Sequence, residues 1–448
     1  MIEASPPPWA ETMHQDPLPL DWHPARIAER RRAFLSPALG TFTAYESPLV
    51  WRRGSGAYLW DADGKRHLDA MAQNVCISVG YRHPGVDAAV RAQLDEIQHV
   101  TTVYAHPQPG QFAEELVARL PVGHDWVVHF VNSGAEAIDL AVLVARLHTR
   151  HFEVLTLRDA YHGMHFTAMA ATGIGAAHQP LPPAPGFVNV IAPHSYRGLF
   201  GADAPPYLQE LSRMIGSATS GALAALIVEP IQGYGGIVEM PPGYLAGAAA
   251  RVRDAGGLFV VDEVQTGFGR TGSHFWGFEA HGVVPDVIVM SKGIGNGFPI
   301  AAMVTRREIA ESMASRMFFN TYGSNPVSCA AGRAVLRALD EEGLQANARA
   351  CGEAFEQAFA ALQERHSLIG DVRGRGMLRG VELVTDRRSR APAADEAVRL
   401  QELLRQAGVI VGLCGAEHNV LKINPPLCVS DADIAALAQA CDESLARL

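Results

Sequence analysis

DEVQTGFGRTG, Asp262 to Gly272, follows the apolar run GGLFVV (Gly256 to Val261), so a strand-like segment ends on two adjacent carboxylates and then dissolves into glycines. Apolar residues continuous over four to eight positions, with helical patterns on either side, read as strands buried on both faces of a parallel sheet. Five more runs have this form: WVVHFV (126–131), EVLTL (153–157), ALAALIV (222–228), DVIVM (286–290) and IAAMVT (300–305). Helix-length amphipathic stretches such as VDAAVRAQLDEI and GQFAEELVARL set in after about Gly85. The expected fold class is therefore α/β, with a large domain over 86–326 whose mostly parallel sheet is sandwiched by helices.

Outside that region the pattern changes. Residues 34–85 alternate short apolar runs with turn signals, as in YLWDADGKRHLD, where Asp63-Gly64 marks a hairpin. From 327 onward, long amphipathic helices precede the short strands RGVELV, VIVGL and VLKI. The two segments, 34–85 and 327–448, are expected to form a smaller α+β domain, with 1–33, including SPPPWAE, as a flexible arm. ARIAERRR (25–32) reads as the solvated face of a short helix, and GRGMLRG (374–380) as a tight turn that lacks the spacing of a dinucleotide fingerprint.

With 448 residues, 48% of them hydrophobic, the chain can bury a large core. A formal charge of −10 argues against a nucleic-acid or anionic-membrane partner. Six cysteines without a CxxC pair or a histidine at metal-ligand spacing suit reduced thiols and no metal, which points to a cytoplasmic protein. Acidic Glu3 and Glu11 do not fit a signal peptide, and no run reaches the roughly 18–20 apolar residues of a membrane span.

Chemistry gathers just after the apolar runs, at the carboxyl ends of the expected strands, where open α/β sheets bind ligands. NSGAEA (132–137) carries an S-x-x-E capping box; it either simply starts a helix or, with Ser133, Gly134 and Ala135, cradles an anion such as a phosphate. RDAYHG (158–163) sets Tyr161 beside His162, either as a stacking surface or as a half-buried turn. Glu229 follows ALAALIV, Asp262 follows GGLFVV, and Lys292 sits among glycines in SKGIGNG. A lysine at a buried strand end is costly as a free ammonium but useful as an amine nucleophile. An amine for an imine, a carboxylate for a ring nitrogen, an aromatic face and an anion cradle together are what pyridoxal phosphate requires.

Read together, these residues resemble the class III pyridoxal-phosphate aminotransferases of fold type I. FVVDEVQTGFGRTGSHFWGFEAHGVVPDVIVMSKGIGNGFPIAAMV carries the likeness, with NSGAEA, YHG, EPIQG, TYGSNP and GDVRGRGM in the family's order. The resemblance implies that Lys292 forms the Schiff base and shuttles a proton and that Asp262 pairs with the pyridine nitrogen. Val264 would pack under the ring, Gln265 reach its phenolic oxygen, and Tyr161 stack over it with His162 close by. Ser133, Gly134 and Ala135 would hold the phosphate, joined by Thr321 from a second subunit, so the enzyme would be a homodimer with shared sites. Glu229 would order the pocket through hydrogen bonds.

Within the class, the alanine:glyoxylate aminotransferase 2 group is similar, and so are lyases acting on phosphoethanolamine-like amines. Lys422 stands where many members carry an arginine that grips a substrate carboxylate, and Tyr234 where some carry the glutamate that pairs with it. Both are expected to line the substrate pocket. The expected reaction moves an amino group from a small amine or amino acid to a keto acid such as pyruvate or glyoxylate; elimination from a phosphorylated amine is the alternative.

Overall fold

The computed structural model describes residues 20–40, 44–45 and 48–448. The first nineteen residues of the expected arm lie outside the described residues. Pro24–Phe34 is a helix with no buried residue, as the charge pattern of ARIAERRR predicts. The chain forms two compact units, one of residues 1–53 with 60–66 and one of 54–59 with 67–448. Every candidate site residue belongs to the second unit.

Seven strands make the main sheet of that unit: β1 (Trp126–Val131), β2 (Glu153–Leu157), β3 (Phe187–Val190), β4 (Leu223–Val228), β5 (Leu258–Asp262), β6 (Val287–Met290) and β7 (Ala301–Arg306). Their order is β1-β7-β6-β5-β4-β2-β3. All neighbouring pairs are parallel except the two made by β7, which runs antiparallel to β6 and to β1. The expectation of a parallel strand at 300–305 is thus corrected. The segment from Ser291 to Ile300 is shorter than the dozen or more residues that a parallel crossover needs, so the chain turns straight back.

Alternate residues explain why these runs are apolar throughout. Val154, Ala225, Val260 and Val289 pack on one face with the helix Gly134–Thr149. Leu155, Leu226, Phe259, Val261 and Ile288 pack on the other, in a core that includes Tyr244, Leu245 and Ala248 of the helix Tyr244–Asp254. Each fully buried aliphatic side chain contributes about 1.5–3 kcal/mol, and a polar residue inside a strand is buried only with a hydrogen-bond partner, as Thr305 is with the Asp286 carbonyl.

A second, antiparallel sheet contains β8 (Ile369–Arg375), β9 (Leu378–Asp386), β10 (Gly412–Cys414) and β11 (Val420–Ile423) in the order β8-β9-β11-β10. GRGMLRG forms the turn between β8 and β9, with Gly376 at φ +51. Lys422 lies on β11, in register with Gly380 on one side and Gly412 on the other. No helix among the described residues is long and apolar enough to cross a membrane.

Candidate active site

Asp262 is the last residue of β5 and is buried. Its Oδ1 accepts the Val264 N–H at 3.0 Å, and its Oδ2 lies 2.8 Å from Nδ1 of His162. Facing a carboxylate, the imidazole donates from Nδ1. Burial opposes a charge on His162, but its hydrogen bond to Asp262 and the field of Asp262 and Glu229 outweigh it and raise its pKa. The sequence marked both residues but not their pairing, because a separation of one hundred positions carries no local signal.

Glu229 connects two loops at the ends of β2 and β4. Its Oε1 accepts the Tyr161 N–H at 3.1 Å and its Oε2 the Gly233 N–H at 2.8 Å. Burial raises its pKa, His162 works against that shift, and Asp262 adds to it. The Tyr161 ring lies 5.7 Å from that of Tyr234. Two residues on, Gly163 has φ +130, and a Cβ there would meet Ala135 Cβ at 2.7 Å. This glycine lets the Tyr161–His162 loop press onto the start of the helix Gly134–Thr149.

That helix begins with the expected capping box. Ser133 Oγ accepts the Glu136 N–H at 3.2 Å, and Glu136 Oε2 accepts the N–H groups of Asn132 and Ser133 at 2.6 and 3.1 Å. Gly134 and Ala135, in the first turn, have no carbonyl of their own helix to donate to, so their N–H groups can receive an anion.

Lys292 follows β6 and holds φ +49, a left-handed conformation that costs a non-glycine residue about 1–2 kcal/mol. Among the described residues its ammonium makes no hydrogen bond or ion pair. Burial lowers its pKa, partly offset by Cys76, Asp262 and Glu229. The adjacent carboxylate, Glu263, is fully committed elsewhere: Oε2 accepts from Thr266 Oγ1 at 2.7 Å and from Gly277 N–H at 2.9 Å, and Oε1 from Phe278 N–H at 2.8 Å.

Lys422 meets the site from β11. Its Nζ donates to Gln265 Oε1 and to Asn74 Oδ1, both at 2.7 Å, and burial next to Lys292 brings its pKa down to about 7. The structure thus gives Lys422 two protein acceptors that sequence reasoning did not foresee. Asn74 was missed altogether, since no polar cluster or glycine marks it. Thr321 is exposed, and no hydrogen bond brings it to Ser133–Ala135 of its own chain; its neighbour Asn320 accepts from Asn132 Nδ2 at 3.0 Å.

Ser133, Gly134, Ala135, Tyr161, Val264 and Lys292 all keep some exposure, while Asp262, His162, Glu229 and Gln265 behind them are buried. The field of Asp262 and Glu229 reaches the unpaired Lys292 amine, and a Cβ on Gly134 at the helix start would meet Val264 and Ser291 at 3.5 Å. This donor set fits pyridoxal phosphate.

Comparison with known proteins agrees with this geometry. The family model for class III aminotransferases matches residues 42–445. The chain is 43% identical over 431 residues to "Alanine--glyoxylate aminotransferase 2 homolog 2, mitochondrial" of Arabidopsis thaliana, covering 94% of this chain and 87% of that protein. Among solved structures it is similar to an (S)-enantioselective omega-transaminase from Thermomicrobium roseum, with 34% identity, TM-score 0.87, and 96% and 99% of the two chains covered. It is also similar to a phospholyase from Arthrobacter in complex with phosphoethanolamine, with 35% identity, TM-score 0.87, and 94% and 100% covered.

The Arabidopsis relative and a Homo sapiens relative are both named mitochondrial, which overturns the cytoplasmic location expected from the cysteines. Free thiols report a reducing environment and do not say which compartment supplies it. The family match over nearly the whole chain and the site geometry lead to one identification: the protein belongs to the class III aminotransferases and is a pyridoxal-phosphate-dependent enzyme of amino-group transfer.

Proposed function

We propose that the site exchanges an amino group between a small amine or α-amino acid and a short keto acid such as pyruvate or glyoxylate. The observation that carries this reading is the state of Lys422. Two of its three N–H donors already serve Gln265 and Asn74, which leaves one for a substrate carboxylate. A lysine offers a point contact where an arginine offers a fork. With Tyr234 in place of a gating glutamate, the pocket suits a monocarboxylate such as pyruvate better than a dicarboxylate.

In this reading Lys292 holds the cofactor's aldehyde, and Asp262, backed by His162, faces the ring nitrogen. Tyr161 and Val264 cover the two ring faces, and Gln265 reaches the phenolic oxygen. Ser133, Gly134 and Ala135 take the phosphate, and Glu229 keeps the Tyr161 and Gly233 loops in place. When bound, pyridoxal phosphate supplies a carbonyl that accepts the amino group and a ring that delocalises the electron pair left on the neighbouring carbon. Lys292 takes and returns the substrate's Cα proton, a task that its lowered pKa supports. Asp262 fixes a negative charge where the ring nitrogen must stay protonated.

The same reading includes a homodimer in which Thr321 of the partner subunit completes the phosphate site. Its support is an exposed apolar patch next to the site: Val103 is 69% exposed, Tyr104 72% and Met317 97%. The two segments that carry these side chains meet where the His99 and Tyr322 rings lie 4.8 Å apart. Sedimentation equilibrium of the holoenzyme should give a dimer, and a monomer would remove this part.

The chemistry is tested by incubating the holoenzyme with a panel of amines and no keto acid. One equivalent of cofactor should convert to its amino form, and turnover should begin only when pyruvate or glyoxylate is added. Sustained release of ammonia or phosphate without an acceptor would overturn the transfer reaction in favour of elimination.

A further inference from the structure

Lys422 is 2% exposed, and among the described residues no carboxylate lies within ion-pair distance of it. A buried ammonium without a counter-ion is destabilising unless its hydrogen bonds are fully used. The structure shows two of them, to the side-chain oxygens of Gln265 and Asn74. Of the two glycines in register with it, Gly412 lies against its stem, where a Cβ would meet Lys422 Cβ at 3.5 Å.

Both acceptors are amides, and an amide can be turned over by half a rotation at little steric cost. An ammonium only donates, so Lys422 removes that freedom: the carbonyl oxygen of Gln265 must face it. The amide N–H groups are then turned away from Lys422, and Gly233 makes room for the amide as a whole. A Cβ at Gly233 would come within 2.2 to 2.5 Å of Gln265 Nε2, Cδ and Oε1 alike, so only a glycine lets the whole amide pack there. Asn74, the second acceptor, sits in a run of four left-handed residues, with φ +48 at Ala72, +47 at Gln73, +63 at Asn74 and +70 at Val75. Asparagine tolerates that conformation, while alanine, glutamine and above all valine do not. The run persists only because its surroundings hold it, and the Lys422 contact is one of the holds.

We infer that Lys422 is a positioning residue for the cofactor: its ammonium locks the Gln265 amide with the N–H donors toward the phenolic oxygen and ties the strained Ala72–Val75 turn to that same amide. The inference rests on the reading that Gln265 faces the cofactor. A methionine at 422 would fill the same volume and lose this control.

The test is a double-mutant cycle read by cofactor binding and by the absorption spectrum of the bound cofactor, both independent of turnover. Apo-protein is prepared for wild type, Lys422→Met, Gln265→Ala and the double variant, and each is titrated with pyridoxal phosphate. Lys422→Met should weaken binding about 3- to 10-fold, the loss of one neutral hydrogen bond to the ligand, and should move the absorption band. In the Gln265→Ala background the same substitution should change neither quantity, because the amide it acts through is gone. Lys422→Arg, which keeps the donors, should restore the wild-type band. Independent, multiplying effects of the two substitutions would overturn the inference, as would a Lys422→Met protein with unchanged affinity and spectrum. Should Lys422→Met fail to fold, Gln265→Glu serves instead. It keeps an acceptor for Lys422 but has no N–H, so the inference requires weaker binding and a moved band, and an unchanged titration refutes it. Gln265→Ala by itself separates this failure from failure of the parent reading, which alone requires that variant to bind the cofactor more weakly and to move its band.

Discussion

Glu263 offers a test in which stability and pH work against each other. It is completely buried, and burial pushes its pKa up to about 7 against the pull of its hydrogen bonds. An unfolded glutamate titrates near about 4.3. Between those values the folded protein holds a proton that the unfolded chain has lost, so stability falls as pH rises through this window and levels off above about 7. At about 1.36 kcal/mol per pKa unit, the loss is on the order of 3 kcal/mol. Glu263→Gln removes the titration but creates a defect of its own. Whichever way the amide turns, its NH2 confronts the N–H of Gly277 or of Phe278, and one unsatisfied buried donor costs about 1–3 kcal/mol. Unfolding entropy of about 2.1 cal/mol/K per residue over 448 residues converts 1 kcal/mol to about 1 °C. The wild type should therefore melt about 1–3 °C above Glu263→Gln at pH 5, and the gap should close or reverse by pH 8. The assay is apparent Tm by calorimetry of both proteins across that range at fixed cofactor. A gap that stays constant or widens with pH would refute the argument.

Three further outcomes follow from the same geometry. Asp262→Asn keeps an acceptor for His162 but removes the buried charge; breaking a buried pair costs about 3–5 kcal/mol, so kcat in the amine-to-pyruvate assay should fall by about 10²- to 10³-fold at saturating cofactor. Gly163→Ala puts a methyl 2.7 Å from Ala135 Cβ at a φ of +130, which should push the Tyr161 loop off the helix start and weaken cofactor binding in equilibrium dialysis by tenfold or more. Glu382 is buried, yet Arg373 and Arg197 outweigh that burial and hold its pKa below the usual range. Glu382→Gln leaves Arg197 without an anion and Arg373 with Asp371 alone and should lower Tm by about 3 °C at neutral pH, a difference that shrinks below about pH 4.3 as the carboxylate is protonated.

The main sheet was legible because its strands are buried on both faces, so their sequences are apolar without interruption and end abruptly in polar residues. Where that condition fails, the signal fails. β3, FVNV, is four residues long and only partly buried, and its Asn189 is there to accept from Thr156 of β2. Strand direction leaves no trace in composition either, which is why β7 read as parallel until the short Ser291–Ile300 connection turned it back. Left-handed turns are read from glycine and asparagine. The Ala72–Val75 run has one asparagine and no glycine, so the strain beside Lys422 is invisible in the sequence.

The site was legible by residue type but not by partnership, and Asp262 and Glu263 show why partnership decides. As neighbours at one strand end they are near-equivalent carboxylates. The pleat sends successive side chains to opposite faces, so only one of them can look toward Lys292 and the helix start. Glu263 turns to the other side and is occupied by three donors from Thr266, Gly277 and Phe278. Asp262 receives one backbone N–H and one imidazole, and a carboxylate has room for about four donors. Its remaining capacity lies close enough to Lys292 for its field to act on that amine. In the function proposed above, this incompletely matched charge is what a protonated pyridine nitrogen would complete.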